Sequence, residues 1–195
     1  MEINIAKVLY LFLRLSPFIV VCYFTLMSIF NQDIKGLIYL SGLMFTCILA
    51  FGIGNINGDQ MPTPGSMKME CKITSLGEND ASLSKAPLGI LTLAYTYSYL
   101  IYIISTYNMV NKNIPILVIF PLLIITEIMF QMKYECTTNI YIPISLILGA
   151  FCGAMWALLV DSTGYTDLQL FNGVSTKQVC DRPSATKYRC RIVKR

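Results

Sequence analysis

Two ionisable side chains stand inside otherwise apolar stretches of the chain, Arg14 and Glu127. A charge within a bilayer is expensive, and where one persists it marks a partner, a proton or ion path, or a structural bridge. Arg14 falls early in the first apolar run and Glu127 late in the fourth. In an up-and-down bundle those two ends share a face, and at 1.5 Å per residue both charges lie roughly 8–9 Å below it. Equal depth and opposite sign point to an intramembrane ion pair between the first and fourth helices. Independent snorkelling of the two side chains to the headgroups is the plainer alternative; a proton or ion path is the sharper one. The third run adds hydroxyls at Thr92, Tyr95, Thr96, Ser98, Tyr99, Tyr102 and Ser105. Tyr95, Tyr99 and Tyr102 fall on one helical face. Such a face either lines a wet cavity or hydrogen-bonds to neighbouring helices.

The seven cysteines divide by place. Cys22, Cys47 and Cys152 lie within apolar runs, where a thiol behaves as a small apolar side chain. Cys71 and Cys136 fall in connections that a five-span topology puts on one face, and Cys180 and Cys190 fall in the C-terminal tail. The spacing predicts two disulfides, Cys71–Cys136 and Cys180–Cys190, one on each face. That is odd for a cellular protein, because one face of most membranes is reducing. The four cannot meet in one zinc site, since they lie on both sides of the bilayer.

Other chemistries are excluded by what the chain lacks. Histidine is absent, which removes imidazole-based nucleophile systems and His-ligated metals. There is no Cys-x-x-C, no Gly-rich phosphate loop and no pair of intramembrane acids. No enzyme and no cofactor or metal is expected.

These residues must be positioned by membrane helices. Of the 195 residues, 55% are hydrophobic and only 13% charged, with a formal net charge of +4. A soluble domain carries roughly 25% charge. Apolar runs at 8–30, 36–54, 86–110, 114–132 and 140–160 are each long enough to cross a hydrocarbon core of about 30 Å. The fold class is therefore all-α membrane protein with about five transmembrane helices, and a short, disulfide-closed, β-hairpin-like C-terminal tail. The chain divides into helices 1–2 (1–54), an extramembrane loop (55–85), helices 3–5 (86–160) and a basic tail (161–195). Pro87, Pro115 and Pro143 stand at helix starts, where a missing N–H costs little; Pro17 and Pro121 lie deeper. The first run is longer than a secretory h-region and reads as a retained signal-anchor.

Small residues recur every fourth position in two helices: Gly42, Thr46, Ala50 and Gly54 in the second, Gly149, Gly153 and Ala157 in the fifth. Such ladders let backbones approach closely. The reading is intramolecular packing of these two helices, with homo-oligomer contact as the alternative.

The tail holds Lys177, Arg182, Lys187, Arg189, Arg191, Lys194 and Arg195 against Asp161, Asp167 and Asp181. Its charge favours a cytoplasmic C-terminus, and five spans then place the N-terminus opposite. Tyr188, Cys190 and Ile192 alternate with Arg189 and Arg191 in a strand pattern, after a turn at Asp181-Arg182-Pro183-Ser184. A basic hairpin of this kind could touch nucleic acid or anionic lipid; the bland reading is a solvated tail.

Cys180-x-Arg182-Pro183-Ser184 followed by Tyr188-x-Cys190-x-Ile192 resembles the C-terminus of uncharacterised multi-pass membrane proteins of large nucleocytoplasmic DNA viruses. The resemblance covers about the last 20 residues and the general hydropathy layout. It implies a structural protein of the virion's internal membrane, derived from host endoplasmic reticulum, joining that membrane to capsid shell or core. Many of these viruses encode thiol oxidases, which would account for cysteine pairs on both faces. It carries no catalytic residue onto this chain. A small channel or transporter using Arg14, Glu127 and the hydroxyl-rich third helix is the competing expectation.

Overall fold

The computed structural model describes residues 5–32, 34–56, 86–134, 137, 139–163, 178–181 and 189–192. Apolar runs become helices here because only a helix satisfies every backbone amide within one span. Among the described residues five α-helices result: α1 (Ile5–Asn31), α2 (Lys35–Ile56), α3 (Leu88–Thr106), α4 (Ile114–Tyr134) and α5 (Tyr141–Ser162). Among the described residues α2 to α5 are each long and apolar enough to cross a membrane, and α1 contributes a shorter apolar stretch from Leu15 to Asn31. This is the architecture of an integral membrane protein.

The helix ends follow local chemistry. The third apolar run stops as a helix at Thr106, short of its expected end at Val110. Asn108 takes a left-handed φ of 52°. Its amide bonds to the Ser105 carbonyl at 3.3 Å and the Met109 amide to the Ile104 carbonyl at 2.9 Å. Those two bonds cap the last carbonyls, in the arrangement that Gly or Asn favours after a helix. Between α1 and α2 the reversal is made at Gln32, also left-handed with φ 53°. The Gly36 amide then donates to Ser28 Oγ at 3.0 Å. A Cβ on Gly36 would stand 2.6 Å from the Phe24 carbonyl oxygen, so only glycine lets α2 start this close to α1.

The helix richest in hydroxyls sits at the centre. Ile90 to Thr96, Tyr99, Leu100, Ile103 and Ile104 of α3 are all buried. Its contact with α5 is by far the most extensive in the bundle, and α1, α2 and α4 also pack on it. Phe45, Ile48, Val118, Ile125, Met129, Ile147 and Phe151, in contrast, point outward from α2, α4 and α5. Apolar outside and hydroxyl-bearing inside is the polarity that lipid requires, because lipid offers no water to a stray hydroxyl.

The α5 ladder explains the tight contact with α3. A Cβ on Gly149 would lie 2.5 Å from the Leu91 carbonyl oxygen, and one on Gly153 2.3 Å from that of Tyr95. The two small-residue ladders therefore do not chiefly face one another: Gly149 and Gly153 seat the backbone of α3. Gly42 of α2 does meet α5, through the Trp156 ring, and also the Tyr95 hydroxyl. Thr46 and Ala50 are buried, as is Ala157. Spacing revealed the need for close approach; the identity of the partner depended on which helix became central.

In the tail, β1 (Gln178–Asp181) pairs antiparallel with β2 (Arg189–Ile192), Cys180 opposite Cys190. Cys71, Cys136 and the remaining residues of 57–85 and of the tail lie outside the described residues.

Candidate functional sites within the bundle

Among the described residues two groups of polar side chains gather inside the bundle, each where helices approach without water. The first is a lattice of aromatic hydroxyls. Tyr39, one turn into α2, is fully buried and faces Thr96, Tyr95 and Tyr99 of α3. Tyr39 Oη and Thr96 Oγ1 share a hydrogen bond at 2.7 Å. Thr96 Oγ1 also lies 2.7 Å from the Thr92 carbonyl, to which it donates; Tyr39 is then the donor to Thr96. The Tyr95 hydroxyl donates to the Tyr39 carbonyl at 3.2 Å. Trp156 Nε1 donates to the Ile38 carbonyl at 3.0 Å, tying α5 to α2. The rings pack as well as bond: Phe24–Tyr39, Tyr39–Tyr95 and Tyr39–Tyr99 centroids are 5.3, 5.6 and 5.7 Å apart. Contacts at such separations add to simple burial.

Asp161 closes the same end of the bundle. Its carboxylate accepts from the Tyr107 hydroxyl at 2.7 Å and from that of Tyr102 at 3.3 Å. The end of α5 is thereby fixed to the end of α3. Of the expected hydroxyl face, Tyr95 and Tyr102 thus bond to neighbouring helices.

The second region surrounds Glu127, which is 4% exposed. Gln131, one turn on, is 5% exposed and donates Nε2 to Glu127 Oε1 at 3.2 Å. Gln131 Oε1 has no hydrogen-bond partner among the described residues, and the same holds for Ser16 Oγ. The carboxylate lies over the first turn of α3: a Cβ on Gly89 would stand 2.9 Å from Glu127 Oε1 and 3.4 Å from Pro17 Cγ of α1. Three helices therefore meet at this carboxylate. Arg14 belongs to α1, one turn before Pro17; its side chain is outside the described set.

Sequence reasoning singled out Glu127 by its charge and missed Gln131, Ser16 and Gly89. A neutral amide or hydroxyl in an apolar run carries little signal until its neighbours are known. Tyr39, Trp156 and Asp161 were missed for the same reason, although the only tryptophan of the chain and an acid at the end of a span are signals a reader could weigh. Among the described residues no three His, Cys, Asp or Glu side chains gather to hold a metal ion. Searches of known protein families, of curated proteins and of solved structures find no match to this chain.

Proposed function

We propose that this chain is a structural multi-pass membrane protein of a large DNA virus particle, anchoring the internal membrane to capsid shell or core. The observation that carries the structural role is the use of the interior hydroxyls. The hydroxyls of Tyr39, Thr96, Tyr95, Tyr102 and Tyr107, with the Trp156 indole N–H beside them, bond from one segment to another. Fixed interhelical bonds of this kind suit a rigid anchor, with residues 55–85 and the basic tail left to bind neighbours. The viral assignment rests on the tail motif. Quantitative mass spectrometry of purified particles tests it: the protein should be present at structural copy number, and its absence from particles refutes the assignment.

A small channel or transporter is the second reading, and the Glu127 site favours it. A buried carboxylate beside an amide oxygen with no partner among the described residues is chemistry that a permeating cation or proton could use. Flux through liposomes holding the purified protein separates the two readings. An anchor gives flux at the level of empty liposomes; a channel gives flux that Glu127→Gln abolishes.

A further inference from the structure

Three buried polar atoms gather at the level where α3 begins. Ser16 Oγ of α1, Gln131 Oε1 of α4 and Ser145 Oγ of α5 belong to side chains 4%, 5% and 0% exposed, and none has a hydrogen-bond partner among the described residues. Their levels follow from the packing. Gly149 lies against Leu91 and Gly153 against Tyr95. The helices α5 and α3 therefore run parallel, and Ser145, one turn before Gly149, stands level with Pro87. Ser16 adjoins Pro17, whose ring lies 3.4 Å from the Cβ position of Gly89. Gln131 bonds to Glu127 at 3.2 Å, and Glu127 Oε1 lies 2.9 Å from that same Cβ position. Three helices thus bring polar atoms to within about one helical pitch, roughly 5 Å, of the first turn of α3.

That first turn adds donors. A helix leaves its first amides without intrahelical acceptors. The Leu91 amide reaches the Pro87 carbonyl at 3.2 Å; Leu88, Gly89 and Ile90 stand before that bond, and Pro87 makes no side-chain cap. Donors and acceptors are therefore gathered together, and leaving such groups dry is costly. Water serves both kinds at once, through about three hydrogen bonds per buried molecule. The helix ends are near. The helix α4 stops at Tyr134, one turn past Gln131, and α5 starts at Tyr141, one turn before Ser145, roughly 5–6 Å at 1.5 Å per residue. In the other direction the way is filled. Tyr39, Tyr95 and Tyr99 are fully buried, and their ring centroids are 5.6, 5.7 and 6.3 Å apart. The Tyr39 and Tyr95 hydroxyls are already engaged, by Thr96 and by the Tyr39 carbonyl.

We propose that the start of α3 is a hydrated layer, in which water held by Ser16, Gln131 and Ser145 enters from the end of the bundle where α2 stops and α3 starts, and goes no further than the tyrosine rings. The bundle is then a half-channel, wet from one face to the level of Glu127 and dry beyond it. The inference rests on neither the viral nor the channel reading. An anchor can carry such a layer, and a solute crossing the bilayer would still have to pass the rings.

Water-edited NMR on the full chain in phosphatidylcholine nanodiscs tests this, because it reads the transfer of magnetisation from water protons to each protein site. Transfer should be strong at Gly89 and Ser145 and at background at Thr96 and Leu100. Silence at Gly89 and Ser145 overturns the layer. Transfer at Thr96 and Leu100 equal to that at Gly89 overturns its dead end. Thermal unfolding gives a second readout. A dry hydroxyl without a partner destabilises, so removing it raises the unfolding temperature; a hydrated hydroxyl has its bonds, so removing it does not. Ser16→Ala and Ser145→Ala should therefore leave the unfolding temperature level or lower it, and should weaken the transfer at Gly89. A rise in both variants overturns the layer. Liposome flux decides the channel reading by a separate measurement, so the two can fail independently.

Discussion

The two ends of the bundle interior solve the same problem with different chemistry. Around Tyr39 and Trp156 the helices meet through neutral donors and backbone carbonyls. Around Glu127 they meet at a buried carboxyl group. Neutral bonds of this kind can be distributed: each is modest, and losing one leaves a carbonyl that still has its helical bond. A buried carboxyl group at the meeting of three helices concentrates their dependence on one side chain, and an ionisable group left without its bonds in the interior is expensive. The hydroxyl lattice should therefore tolerate single changes that the Glu127 site does not.

The largest effect should come from neither region but from the seam that holds both in register. Gly153→Val forces a side chain into the Tyr95 carbonyl, which a Cβ would approach to 2.3 Å. Backbone cannot swing aside as a flexible side chain can, so a loss of about 3 kcal/mol or failure to fold is expected. Thermal unfolding in detergent measures it; a stability within error of the parent would show that α3 and α5 can separate without cost.

Next should come Glu127→Ala, which removes the carboxyl group at the meeting point of α1, α3 and α4. A loss of about 2–3 kcal/mol is expected, since Gln131 Nε2 loses its buried acceptor and a cavity opens between the helices, and a loss below that of any lattice variant would erase the contrast between the two ends.

Single lattice changes should be smaller. Tyr39→Phe removes the bond to Thr96 and keeps the ring, and Trp156→Phe removes the bond to Ile38. Each should cost about 0.5–1.5 kcal/mol, in the range of interhelical hydrogen bonds in membrane proteins. Equilibrium unfolding of the two variants and their combination sharpens the comparison: near-additive losses are expected from a distributed lattice, strong coupling from a concentrated one.

The smallest effect on the bundle should come from the tail. Cys180 stands opposite Cys190 across the β1–β2 pair, so a cross-strand disulfide is expected, and non-reducing peptide mapping should recover the linked peptides. Free thiols at both positions in the protein isolated without reductant would refute the bond. Cys180→Ser should leave the unfolding temperature of α1 to α5 unchanged, because the bond it removes would join β1 to β2 and no helix. A Cys71–Cys136 link is checked by the same map.

Periodicity-free hydrophobic runs, each of membrane-crossing length, determined that this is a helical membrane protein and nearly where each helix lies. The reason is physical: length and apolar character alone decide whether a segment can span lipid, and both are local properties. The singular charges Arg14 and Glu127, the small-residue ladders and the hydroxyl-rich third helix were legible for a related reason, since each is a departure from what lipid tolerates. Order around the bundle was not legible. That α3 is central, with 61% of its span buried against 22% for α4, follows from which helices exclude one another from lipid, and no single segment encodes it. The same holds for Gly149 and Gly153 meeting α3, for Gly89 admitting a carboxylate from α4, and for Gln131 and Ser16 becoming part of a site. Each depends on a neighbour far away in the chain, and only the packed tertiary structure decided which neighbour that was.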